Sequence, residues 1–115
     1  MRKLALLLLC CAPFAVANAE EDINSGAWIF PGCQQSANGV RSVDAKQPTC
    51  LGAVRTFAYF ASTLPPAQRS CPPTGITVGQ EVKTVAQWME QHPERLHEQF
   101  EALLVAAFRD AWPCK

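Results

Sequence analysis

Six cysteines and two histidines are the side chains of this 115-residue sequence with the most chemistry to offer. Four of the cysteines, Cys33, Cys50, Cys71 and Cys114, are spaced by 17, 21 and 43 residues, with no C-x-x-C pair among them. Neither His92 nor His97 lies beside a cysteine. Zinc sites draw their ligands from closely spaced pairs, so this pattern speaks for two disulfides and against a metal. The histidines bracket Pro93 five residues apart and do not share a helical face. No H-E-x-x-H, Gly-rich phosphate loop or nucleophile-elbow serine is present. Glu90, Glu94, Glu98, Glu101 and Asp110 fall on the polar sides of amphipathic segments, as solvated acids do. A cysteine held in a disulfide is no nucleophile. The sequence therefore reads as a protein with no catalytic residue, metal or cofactor. Such a protein works by binding.

Export supplies the oxidising compartment that disulfides need. Arg2 and Lys3 precede an apolar run, Leu4 to Val16, and Ala17-Asn18-Ala19 is a small-residue cleavage pattern. Residues 1–19 are thus expected to be a secretory signal peptide, too short and wrongly flanked for a membrane span. Cys10 and Cys11 lie inside that run without the small preceding residue that lipoprotein processing wants. Residues 20–115 are left as one domain with four cysteines. Their eight basic side chains face ten acidic ones, a net charge of −2. Without a basic block, a nucleic-acid partner has no electrostatic footing.

The elements that must position these residues are helical. Thr77 and Gln80 make a Thr-x-x-Gln capping box, and Val78, Val82, Val85 and Met89 then recur on one helical face. Pro93 ends that helix near His92 and suits the first turn of the next, which carries Leu96, Phe100, Leu103, Leu104, Ala107, Phe108 and Ala111. Pro113 stops it. Another helix is expected from about Thr49 to Ser62, apolar almost all round and hence either central in the core, the favoured reading, or half-covered by a partner. A weaker first helix begins after Ser25 and should be kinked or broken at Pro31-Gly32. Leu64 to Gly75, with Pro65-Pro66 and Pro72-Pro73, is a loop. The class is all-α, a small disulfide-bonded domain of three to four helices. Three cysteine pairings are open. Two antiparallel helices of similar length bring Cys71 close to Cys114, which favours that pair and leaves Cys33 with Cys50.

The Cys71–Cys114 stretch carries an ordered set of features: Cys-Pro, Gly75-Ile76-Thr77 with Gln80, then H-P-E-R-L-H from His92, then Trp112-Pro113-Cys114. This set resembles the Rap/Tai family of immunity proteins, and Cys50-Leu51-Gly52 resembles that family's helix start. Ala53 and Thr56 depart from the family's continuation, and the Trp28-Ile29-Phe30-Pro31 segment from its usual Leu-rich form. The resemblance implies a helical, disulfide-bonded periplasmic protein, often a homodimer. It would bind and inhibit a peptidoglycan-cleaving amidase effector of type VI secretion. Rival readings are a small acid-activated periplasmic chaperone and an envelope-associated module with no toxin partner.

A helical inhibitor whose apolar faces are committed to its core meets its partner with another side. Beside the Val78–Met89 stripe, Lys83, Gln87, Trp88 and Gln91 form a mixed face with one large aromatic, which is either a partly exposed anchor or a rim residue leaning on the core. The proline-rich loop is the other option.

Overall fold

The computed structural model describes residues 20–115; the leader expected at residues 1–19 lies outside them. Four helices succeed one another: α1 Gly26–Ala37, α2 Lys46–Phe60, α3 Val78–Gln91 and α4 Phe100–Ala111. Short 3-10 turns sit at Ala61–Thr63 and Pro93–Arg95. The described residues contain no strand, only an isolated antiparallel bridge between Ser25 and Gln99. The class is all-α, as the periodicity indicated.

α1 departs from expectation. Ser25 caps it, its Oγ accepting the Trp28 N–H at 3.2 Å, but the helix runs on through Pro31 to Ala37. An interior proline costs about 3 kcal/mol in an isolated helix. Here tertiary contacts outweigh it. Gly32 is buried against the first turn of α2, where a Cβ would collide with the Lys46 and Gln47 backbone. The next residue, Cys33, bonds to Cys50 with a Cα–Cα distance of 5.4 Å. A helix fixed so closely has no room to bend away at the proline.

α2 begins at Lys46, ahead of the expected Thr49. Asp44 accounts for the difference, since its Oδ1 accepts the Lys46 N–H at 2.9 Å. That bond holds the Asp44 carboxyl below its ordinary pKa. Pro48 then falls in the first turn, where a missing N–H does little harm. α2 is also less central than its apolar sequence implied. Val54 and Cys50 are buried, but Tyr59 is 80% exposed and Phe60 51%. One side of this helix faces outward while still apolar.

α3 matches expectation closely. Thr77 Oγ1 accepts the Gln80 N–H at 3.2 Å, and Gln80 Oε1 accepts the Thr77 N–H at 2.9 Å. His92, next to Pro93, leaves the helical region. The expected start of the last helix needs correction: Pro93 opens a 3-10 turn, and α4 waits until Phe100. The intervening backbone has another partner. The Leu96 and Glu98 carbonyls accept the Ala27 and Gly26 N–H groups of α1 at 2.7 and 2.9 Å. In return the Asn24 carbonyl accepts the Phe100 N–H at 2.8 Å. Each helix start thus finds its acceptors in the segment leading into the other.

α1 packs on both α2 and α3, and the core fills between them and α4. Phe108 is fully buried and meets Phe57 and Trp112 edge-on, with centroids 4.9 and 5.0 Å apart. Cys71–Cys114 closes the C-terminal half with a Cα–Cα distance of 5.0 Å. Beside it the Cys71 N–H donates to the Trp112 carbonyl at 2.8 Å. By loop-closure entropy the two disulfides contribute roughly 3 and 4 kcal/mol.

This packing makes two outcomes testable. Cys33 and Cys50 are fully buried whereas Cys71 is exposed, so a rising reductant concentration should open Cys71–Cys114 first. Alkylation and then peptide mapping reads the order, and simultaneous opening would contradict it. Gly32→Ala should lower stability by about 3 kcal/mol or more, because backbone cannot yield to a Cβ as a side chain can. Thermal unfolding of the oxidised variant measures it; an unchanged melting temperature would refute the close approach.

Candidate functional site

Lys83, Gln87 and Gln91 recur at four-residue intervals along one side of α3, and all three are exposed. The capping box sets the helix phase that turns this strip outward while Val82, Val85 and Met89 face the core. Trp88 is a different case. It is only 7% exposed, so of its two readings the structure favours the residue that leans on the core over the projecting anchor.

The environment of Trp88 is polar at its edge and cationic at its ring. Its Nε1 donates to Asp110 Oδ2 at 2.7 Å, tying α3 to α4. The His92 ring stacks on it with centroids 4.0 Å apart, and His92 Nδ1 donates to the Trp88 carbonyl at 2.7 Å. The Arg95 guanidinium lies 5.1 Å from the ring centroid. Arg95 is itself gripped by Glu98 through two bonds of 2.7 and 2.8 Å. The Glu98 hydrogen bond raises the Arg95 pKa, and the same bond lowers that of Glu98.

Between α3 and α4 these groups border a shallow groove of about 260 Å³, lined by Thr84, Gln87, Trp88, Gln91, His92 and Asp110 together with Ala107 and Ala111. Gln87, Trp88 and Gln91 are thus brought together, and Lys83 lies on the same strip outside the groove. The groove holds amide, imidazole and carboxylate groups side by side, which suits hydrogen bonding to a protein surface. Among the described residues no group of three His, Cys, Asp or Glu side chains is placed to hold a metal ion. Cys33, Cys50, Cys71 and Cys114 are all joined in disulfides, and His97 stands apart, exposed.

One ionisable group escaped the sequence reading. Glu81 is 5% exposed on the buried side of α3. Burial raises its carboxyl above the ordinary value of 4.5. The signal was present: Glu81 lies three residues after Val78 and four before Val85, within the apolar stripe.

The pH dependence of stability carries opposite signs at the two acids. For Glu81 the folded state binds its proton more tightly than the unfolded chain, so stability falls as pH rises from the ordinary value through the folded one. For Glu98 the folded pKa is depressed, and its contribution is lost as pH falls through that lower value. Glu98 is partly exposed and its ion pair is weak. Glu81→Gln should therefore match the wild type in melting temperature near pH 4 and exceed it at pH 7. A variant less stable at pH 7 would show that the ionised carboxylate has a favourable partner.

Comparison with known proteins gives one finding. A family model, that of the Rap1a immunity proteins, matches residues 25–114. No curated protein and no solved structure matches the chain. The matched segment holds all four helices, both disulfides and the α3–α4 groove. On that extent of match, the chain belongs to the Rap1a immunity protein family.

Proposed function

We propose that this protein is the immunity partner of a peptidoglycan-cleaving amidase effector of type VI secretion, exported to the periplasm by cleavage after Ala19. The observation that carries this reading is the family match over residues 25–114. The two disulfides, Cys33–Cys50 and Cys71–Cys114, support an oxidising compartment. Inhibition needs no reacting group: a rigid surface that covers the effector's catalytic groove blocks substrate. The Lys83, Gln87 and Gln91 strip with the groove beside it is the surface proposed to make contact. Trp88 holds that surface in shape from beneath.

The purified protein should inhibit its cognate amidase effector, and its expression should protect cells that receive the toxin. Replacing Lys83, Gln87 and Gln91 together by alanine should weaken binding at least tenfold, about 1.4 kcal/mol, with little change in melting temperature. Trp88→Ala should instead cost ~3–5 kcal/mol of stability, as truncation of a core aromatic typically does, and so lower the melting temperature. Absence of inhibition by the wild type would end the immunity reading. Unchanged affinity of the triple variant would move the contact surface elsewhere.

The homodimer that the resemblance implies has an apolar face available on α2. Tyr59 and Phe60 lie edge-on with centroids 5.0 Å apart, and Phe60 borders an apolar groove of about 500 Å³ with Phe57, Leu64 and Leu104. The same exposed face is the observation that serves the chaperone reading. Tyr59→Glu with Phe60→Glu should turn a dimer into monomers in light scattering. If the wild type is monomeric and suppresses acid-induced aggregation of unrelated proteins, the chaperone reading replaces this one.

A further inference from the structure

Three arginines that are distant in sequence line a single groove on the far side of Asp110. Arg69 comes from the proline-rich loop, Arg95 from the turn after α3 and Arg109 from α4. The groove has a volume of about 620 Å³, and Pro66, Ala102, Val105, Ala106, Pro113 and Cys114 supply its apolar lining. These are small or stiff residues that leave the guanidinium groups as its prominent polar features.

The three guanidinium groups are held, but they are not equally neutralised. Arg95 is engaged by Glu98, the one ion pair among the described residues. Arg69 Nε donates to the Leu64 carbonyl at 3.0 Å, and Arg109 Nη1 to the Ala67 carbonyl at 2.6 Å. A carbonyl orients a guanidinium without cancelling its charge. Each of these two groups therefore keeps a full positive charge and most of its N–H donors, in an orientation already fixed. The one carboxylate in the lining is Asp110, whose Oδ2 already accepts the Trp88 N–H. With Arg95 neutralised by Glu98, Arg69 and Arg109 face the single lining carboxylate, Asp110, a local positive excess in a domain whose residues 20–115 carry eight basic side chains against ten acidic ones.

We propose that this groove receives an acidic segment of a protein partner, its carboxylates bound by Arg69 and Arg109. Charge complementarity selects the occupant. Guanidinium forks match carboxylates in two-point geometry, and pre-oriented forks lose little side-chain entropy on binding. Asp110 lines this groove and the α3–α4 groove alike, so the two form one continuous surface. Naming the effector as the owner of the acidic segment rests on the immunity reading; the chemistry of the groove does not.

The first arm of the test uses a synthetic peptide, Asp-Gly-Glu-Gly-Asp-Gly-Glu, and its Asn/Gln counterpart, each titrated into the oxidised protein. The acidic peptide should shift the Arg69 and Arg109 Nε–H resonances, and the amide peptide should not. Arg69→Gln with Arg109→Gln should weaken that binding at least tenfold. Should the double variant fail to fold, Arg69→Gln alone serves, since its bond is to the nearby Leu64 carbonyl within its own loop. No shift with the acidic peptide, or equal shifts with inorganic phosphate or anionic lipid vesicles and none with peptide, overturns the proposal. The second arm measures inhibition of a type VI peptidoglycan amidase that is taken as the cognate effector. If the wild type inhibits and the folded arginine variant inhibits equally well, the proposal fails while the immunity reading stands. If the wild type does not inhibit, the immunity reading fails and the peptide titration alone decides the groove.

Discussion

The contact at Gly32 is the constraint on which the rest of the structure depends. Where α1 crosses the start of α2, the absence of a side chain lets one backbone lie directly on the other. Cys33 then locks the approach by bonding to Cys50. With that crossing fixed, α1 stays helical through Pro31, and its N-terminus is carried to the segment before α4. There Gly26 faces a second close approach, to Leu103 and the Leu96 carbonyl, and α1 donates its first N–H groups to Leu96 and Glu98. The local cost of an interior proline, about 3 kcal/mol, is offset by a disulfide of similar size and by a buried helix face.

That same junction shapes the side that carries the two grooves. Because Leu96 and Glu98 give their carbonyls to α1, the residues after Pro93 are not wound into α4. Arg95 is consequently set on a turn, against the Trp88 ring and beside Asp110, rather than on a helix face. Cys71–Cys114 holds the opposite end, keeping the proline-rich loop near the end of α4 so that Arg69 and Arg109 share a groove. Cross-links and polar contacts of this kind matter in a domain too small to bury a large core.

Membership of an immunity protein family implies an inhibitor that works by its surface, a role that a braced and cross-linked domain suits. Its four domain cysteines are joined, and its most enclosed tryptophan, Trp88, serves as a brace between two helices. Its two polar grooves meet at Asp110. Rigidity is the property such a binder needs, because side chains already fixed lose less entropy on docking.

Local signals were legible in the sequence wherever neighbouring residues settle the matter among themselves. The Thr77–Gln80 capping box, the stop at His92-Pro93 and the Val82, Val85, Met89 stripe are all set within a few turns of chain, and α3 obeys them. The antiparallel logic of the last two helices also sufficed to pair Cys71 with Cys114. Tertiary structure decided the rest. The continuity of α1 through Pro31, the delayed start of α4, the burial of Trp88 and the outward face of α2 each depend on which distant backbone or side chain lies alongside. So does the meeting of Arg69, Arg95 and Arg109, which a sequence shows as three separate charges. Periodicity tells which side of a helix is apolar; only the packing of the other helices tells which apolar side is covered.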